Sequence, residues 1–241
     1  MKRDVLIEPF DQHIDIVIAC DNSGAIGEKP DDVVSVSYDL AAYFAFRVAF
    51  MECVASGGVP FAVILQNFNG DAAWMSLVKG IQRGMKESEQ KLRITGSTES
   101  NFSLNQSAQG VTVLGKKPRQ PGQAIPEEDQ ELGVAVIGSP LVGEEVITEQ
   151  NKIAPLHMFR WYCEHKAVLA VVPVGSKGII HELNQLFPEK SYHFSANVDL
   201  HKSAGPATCF IIVYEPLVTV EELKGDAEDL FHKVCLTKIQ K

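Results

Sequence analysis

The sequence predicts an α+β protein of two domains. β-rich stretches alternate with helical ones along the chain, and both halves read as helices laid on one face of a sheet. The alternation breaks once, at KKPRQPGQAIPEEDQ (116–130), a mixed-charge tract with three prolines and no periodicity. The expected division is a first domain over 1–116, a linker over 117–130 and a second domain over 131–241. A chain of 241 residues allows each part its own core.

HIDIVIAC (13–20) and VVSVSYD (33–39) are β-rich, the second alternating as a half-buried strand does, and the polar DNSGAIGEKPDD between them is a turn. An apolar helix from Leu40 to about Ser56 follows, closed by Gly57-Gly58 where helices take a C-terminal glycine. After the strand FAVILQ (61–66), Trp74, Leu77, Val78, Ile81 and Met85 recur at the spacing of one helix face. Strands at 92–95 and 110–115 are joined by the loop GSTESNFSLNQSAQ. In the second half, strands LGVAVIG, AVLAVVPV, SYHFSANV and ATCFIIVY alternate with helical segments around 144–165, 177–187 and 218–234, the first of them broken or bent at Pro155.

Composition narrows the function. Twenty-two Lys and Arg against 31 Asp and Glu give a net charge of −9, the wrong sign for a nucleic-acid-binding surface. The five cysteines are an odd number, widely spaced, with no C-x-x-C pair, and read as reduced thiols of a cytoplasmic protein. Val17-Ile18-Ala19-Cys20 resembles a lipoprotein box, but Asp4, Glu8, Asp11 and Asp15 precede it, which the apolar region of a secretion signal does not tolerate. The apolar run from Leu40 to Gly58 carries Arg47 and Glu52 near its middle and reads as a buried helix rather than a membrane span.

Several motifs carry little chemistry. Gly110 to Lys117 matches most of a phosphate-loop pattern, yet Lys117 stands where the Mg-binding hydroxyl belongs and Pro118 follows where a helix should start. Gly175-Ser176-Lys177-Gly178 lies between a strand and a helix, a place for an anion on backbone N–H groups or an ordinary connection. The seven histidines show no i, i+4 pair and no H-E-x-x-H, and there is no G-x-S-x-G elbow.

The acidic residues say more. Glu52 sits in AFMECVASG, an almost wholly apolar segment where an ionised carboxylate needs a cation, a metal or several donors. Arg47 is a poor partner, since five residues along a helix is about 140° around it. Asp21 and Asp39 stand at expected strand ends, and Glu99 directly follows another. Carboxylates gathered at the same ends of adjacent elements make a hard-cation site suited to Mg²⁺ with a nucleotide phosphate.

Taken in order, these segments resemble the ATP-binding superfamily of AIR synthase, thiamine-monophosphate kinase, selenophosphate synthetase and HypE, the PurM-like proteins. DNSGAIG (21–27) is similar to the family's acidic turn, and SVSYD to its second strand ending in Asp39. AFMECVASGGVP (49–60) resembles N-x-S-D-L-A-A-M-G-A-x-P with Glu52 in place of the aspartate. TGSTESN followed by QGVTVLG resembles the G-G-D-T turn and its strand, and KGIQRGMKES the glycine-interrupted helix.

The resemblance covers about residues 13–116 and implies a two-domain fold whose N-terminal domains pair into a shared β-barrel in a homodimer, with Mg²⁺-ATP at the interface. It implies phosphoryl transfer by a small-molecule kinase, most like members acting on a nucleoside; a synthetase or a non-catalytic nucleotide-binding member is the alternative. Asp21, Asp39, Glu52 and Glu99 are then expected to hold metal, with Asp39, Glu52 and Glu99 at the chemistry. Asn22, Gly96, Ser97, Thr98, Asn101 and Lys177 would contact the nucleotide. The chain departs from the family in having Asn22 in the acidic pair, Ser97 for the G-G-D-T aspartate, and no aspartate in VPVGSKG (172–178).

Overall fold

The computed structural model describes residues 5–119, 132–188, 192–215 and 220–238. The chain divides into two compact units, Arg3–Gln120 and one carrying Pro121–Lys241. The expected linker begins inside a strand that runs through Lys117 and Pro118, and the rest of it, from residue 120, lies outside the described residues.

The first unit begins with β1 (Val5–Pro9), which no sequence signal pointed to, and continues with β2 (Ile14–Gly24) and the two-residue strands β3 (Ile26–Gly27) and β4 (Val34–Ser35). Helix α1 (Tyr38–Ala55), β5 (Val59–Asn67), α2 (Trp74–Glu87), β6 (Arg93–Thr98) and β7 (Ala108–Pro118) complete it. The main sheet has the order β1-β2-β7-β5-β6. Neighbours are antiparallel except β5 and β6, which run parallel because α2 carries the chain back between them.

One expectation changes here. VVSVSYD shrinks to the β4 bridge and then turns into helix, because Asp39 suits the first turn of α1 and the Glu28 carboxylate accepts the Tyr38 N–H at 3.0 Å. The strand IDIVIAC pairs with β1 on one side and β7 on the other, leaving β1 and β6 as the edges of an open sheet.

One face of the sheet buries Val17, Ala19, Val63, Leu65, Val111 and Val113 completely. On α1, Ala42, Phe46, Ala49, Phe50, Met51 and Cys53 are equally buried, so this helix is apolar around most of its girth. Close approach of α1 and α2 depends on two glycines. A Cβ at Gly80 would stand 2.0 Å from the Asp39 carbonyl oxygen, and one at Gly84 2.3 Å from the Phe46 ring.

The second unit holds β8 (Gly133–Ile137), α3 (Glu145–Thr148), α4 (Leu156–Glu164), β9 (Val168–Pro173), α5 (Ile179–Leu186), β10 (Tyr192–Ser195), β11 (Phe210–Tyr214), α6 (Val220–Lys224) and β12 (Phe231–Lys238). Its sheet is antiparallel throughout, in the order β10-β12-β8-β11-β9. Pro155 divides the segment around 144–165, standing extended before α4. The helix expected over 218–234 stops at Lys224 and, after a 3₁₀ stretch, becomes β12, which buries Phe231 and Val234 between β8 and β10. Among the described residues no helix is long and apolar enough to cross a membrane, and the run from Leu40 is α1.

Candidate functional site

β2, β5 and β6 finish at one end of the first unit's sheet, where β7 begins. Strand register sets two transverse rows there: Asp21, Val111, Leu65 and Gly96, and next to it Asn22, Gly110, Gln66 and Ser97. Side chains alternate along a strand, so Asp21 shares the α1-facing side with Val17 and Ala19, whereas Asn22 and Ser97 belong to the opposite face. Gly96 is demanded by space, since a Cβ there would meet the Leu65 carbonyl oxygen at 2.0 Å.

Among the described residues Asp21 is the most perturbed carboxylate. Burial pushes its pKa up to about 7; the Asn22 N–H pulls the other way, and the charge of Glu52, in the last turn of α1, raises it further. Glu52 is half-buried rather than enclosed. Arg47, fully buried in the same helix, lies against Tyr43.

The four expected metal carboxylates do not converge. Asp39 sits in the first turn of α1 rather than at a strand end, 52 − 39 = 13 residues from Glu52. That is about 20 Å along the axis, so one ion cannot take both. Gly96 and Ser97 stand three strand spacings from Asp21 and Asn22, about 14 Å across the sheet. Glu99 turns back on its own loop, where Oε1 accepts the Asn101 N–H at 2.7 Å and the Phe102 N–H at 3.2 Å. Among the described residues no group of three or more His, Cys, Asp or Glu is placed to hold a metal. Of the four, Asp21 and Glu52 are the two whose charges act on each other, Glu52 from the last turn of α1; two carboxylates suit Mg²⁺, which completes its shell with water and phosphate oxygens.

Polar groups that sequence reasoning passed over frame this end. The Asn67 amide donates to the Gly70 carbonyl and to Thr98 Oγ1 at 2.9 and 3.1 Å, Asn69 donates to Gln109 Oε1 at 2.9 Å, and Gln109 donates to Ser23 Oγ. Asn67 and Gln109 are buried, so this amide chain ties together the ends of all four strands. Asp32 accepts the Ser107 N–H and hydroxyl, both at 2.7 Å, and the Lys29 N–H at 2.9 Å. Desolvation works against its ionised form, but the Ser107 and Lys29 hydrogen bonds outweigh it and hold the carboxyl below its usual range. Lys29 Nζ donates to the Phe68 and Gln106 carbonyls at 3.2 and 3.3 Å. The proline and paired acids of EKPDD were the one sequence signal for this construction.

Lys177 belongs to the second unit, exposed in the turn between β9 and α5. Gly178 there has φ of +79°, and a Cβ would come within 2.8 Å of the Lys202 carbonyl oxygen, so packing accounts for the glycine. Gly110–Lys117 is strand throughout, as the missing hydroxyl and helix predicted.

No family model matches the sequence, and no curated protein matches it either. Solved structures do match. Thiamine monophosphate kinase from Aquifex aeolicus superposes with a TM-score of 0.65 at 11% identity over 98% of this chain and 89% of that one; AaThiL complexed with AMPPCP and TMP gives 0.66 at 12% over 99% and 85%. The HypE–HypF complex gives 0.61 at 12% identity over 99% and 93%. T. maritima PurL complexed with ADP gives 0.60 at 12% over 99% of this chain but 42% of the larger one. At this identity the likeness defines the fold, and the fold is PurM-like.

Proposed function

We propose that the chain is a Mg²⁺-ATP-dependent small-molecule kinase, and that its activity is that of α-ribazole kinase, converting α-ribazole to α-ribazole 5′-phosphate in salvage of the cobalamin lower ligand. The observation that carries the proposal is Asp21, set near the strand ends of a PurM-like sheet, whose carboxyl pKa is pushed up to about 7 by burial and by the charge of Glu52. Fold neighbours supply context, since AaThiL is complexed with AMPPCP and PurL with ADP. The nucleoside acceptor rests on the similarity of the GSTESN turn to α-ribazole kinase.

In this assignment Asp21 and Glu52 hold Mg²⁺, which when bound neutralises charge on the transferring phosphoryl group. Asn22 beside Asp21, and Gly96, Ser97 and Thr98 about 14 Å across the sheet on β6, offer donors and close-approach backbone to the nucleotide. Glu99 and Asn101 shape the turn that follows. The chain's contribution is chiefly positioning and charge neutralisation. We assign the protein to the cytoplasm, and to a homodimer formed through the open face of the first sheet. There Ile16, Ile18, Ile64 and Leu114 are half-buried and Leu6 is 55% exposed, an apolar face that a second copy would cover.

Thermal unfolding with Mg²⁺ alone and then with Mg²⁺ and ATP tests the proposal. Ligand at about a hundred times its dissociation constant stabilises by about 2.7 kcal/mol. The shift should vanish in Glu52→Gln and Asp21→Asn, and an unchanged shift in both removes the pair from the site. ADP formed together with a phosphorylated nucleoside supports the kinase, whereas ADP and inorganic phosphate without it favour a synthetase of the PurL or HypE kind. A variant Glu52→Gln that alters stability alone means a non-catalytic member.

A further inference from the structure

A row of hydrogen-bonded side chains crosses the end of the first unit's sheet. Register sets Ser23, Gln109, Asn67 and Thr98 side by side on β2, β7, β5 and β6. Alternation places them on the same face as Asp21, about 7 Å farther along the strands. Gln109 Nε2 donates to Ser23 Oγ at 2.5 Å, and Gln109 Oε1 accepts from the Asn69 amide at 2.9 Å. In the turn 67–70, which Gly70 completes at φ of +86°, the Asn69 N–H donates to Asn67 Oδ1 and Asn69 Oδ1 accepts the Ala108 N–H, both at 2.9 Å. Asn67 Nδ2 closes the row by donating to Thr98 Oγ1 at 3.1 Å and to the Gly70 carbonyl at 2.9 Å. Hydrogen bonds therefore run without a break from β2 to β6.

Apolar side chains would fill this layer with less desolvation, as Val111 and Leu65 do in the row of Asp21. What amides add to packing is direction, because each donor and acceptor has a fixed place and a shifted strand end breaks a bond. The two ends of the row adjoin the groups assigned to the ligand: Ser23 follows Asn22 and lies two residues from Asp21, and Thr98 follows Ser97. Gln109 is 2% exposed and Asn67 1%, so neither reaches a ligand itself. We propose that Gln109, Asn69 and Asn67 are positioning residues, a strut that fixes β2 against β6 so that Asp21 and Asn22 on one side and Ser97 and Thr98 on the other meet a single ligand, Mg²⁺-ATP. This deepens the kinase assignment above and rests on it. A lone ion touches one end of the strut, whereas an extended nucleotide with its metal spans both, and only a ligand that touches both needs their separation held.

Isothermal titration of Mg²⁺ with adenosine 5′-(β,γ-methylene)triphosphate into the full chain tests the strut, with melting temperatures measured alongside so that affinity is read on folded protein. Gln109→Met has similar length and no amide; it should bind the triphosphate about tenfold or more weakly, since misplacement by about 1 Å costs about a hundredfold in a preorganised site. Gln109→Glu, whose carboxylate accepts from both Asn69 and the Ser23 hydroxyl, should recover the affinity. Adding Ser23→Ala to Gln109→Met should cost nothing further, because the same link is already broken. Unchanged affinity in Gln109→Met, a loss that Gln109→Glu does not restore, or a further loss on adding Ser23→Ala overturns the strut. The kinase assignment survives each of these if Asp21→Asn still abolishes triphosphate binding. Should Gln109→Met not fold, Ser23→Ala alone decides: weaker binding by about tenfold supports the strut, and wild-type affinity overturns it. A wild type that does not bind the triphosphate overturns the kinase assignment and the strut with it.

Discussion

A carboxylate held near neutrality by burial and a second carboxylate weakens the metal-free protein, and Asp21 shows this in its pH dependence. Its folded pKa of about 7 lies above the unfolded value of 3.8, so the folded state keeps a proton that the unfolded chain releases. Its favourable contribution is fully present below about pH 4 and is lost as pH rises through about 7. In EDTA, Asp21→Asn should flatten that slope and raise stability at pH 8 by about 2 kcal/mol, after screening of a partly exposed group is allowed for. Urea unfolding at pH 5 and pH 8 measures it; a variant less stable than the wild type at pH 8 contradicts the assigned environment. Asp32 has the opposite sign. Its carboxyl is held low by Ser107 and Lys29, so its contribution is present above the unfolded pKa and lost as pH falls through the lower folded one. Asp32→Ala should cost about 1–2 kcal/mol at pH 7, by urea titration, since three donors lose a charged acceptor.

At the scale of elements, the contact between α1 and α2 is set by glycines rather than by interlocking large side chains. Gly80 faces a backbone carbonyl that cannot move without unwinding the first turn of α1, whereas Gly84 faces a phenylalanine ring that can rotate only against Phe50, with which it stacks at 5.5 Å. Gly80→Ala should therefore destabilise by about 3 kcal/mol and Gly84→Ala by about 1–3 kcal/mol, although alanine is the better helix former. Gln82→Ala on the exposed side of the same helix should be neutral or slightly stabilising. Chemical denaturation of the three variants checks the order, and equal effects at 80 and 82 would mean the helices sit farther apart than described. The same logic explains why β12 could not be read locally. FHKVCLTK has no helix-breaking residue, and what makes it a strand is the hydrogen-bonding row offered on either side by β8 and β10.

For the whole molecule, the open face of the first sheet makes the quaternary prediction. Ile18 and Ile64 project from the side opposite α1, amid Leu6, Ile16 and Leu114. If a second copy covers this face, Ile18→Lys or Ile64→Lys should leave a monomer with native helix content, read by analytical ultracentrifugation and circular dichroism. A wild type that sediments as a monomer at micromolar concentration contradicts the dimer. Because Asp21 and Glu52 both belong to the first unit, the monomeric variant separates a requirement for dimerisation from the proposed chemistry of these two residues.

The sequence by itself determined the class and most elements of the first unit between Ile14 and Lys117, because periodicity, glycine stops and proline-rich punctuation are local properties of a chain. The apolar run before Gly57-Gly58, the glycine-interrupted helix and the acidic character of Asp21 and Glu52 were all legible in this way. Tertiary structure decided how far apart the carboxylates stand. A helix rise of about 1.5 Å per residue carries Asp39 away from Glu52, and strand spacing carries Gly96 and Ser97 away from Asp21. It also decided that Glu99 serves its own loop, and that Lys29, Asp32, Asn67 and Gln109, unremarkable in the chain, close the strand ends. These are facts of register and long-range contact, which no local pattern of residues encodes.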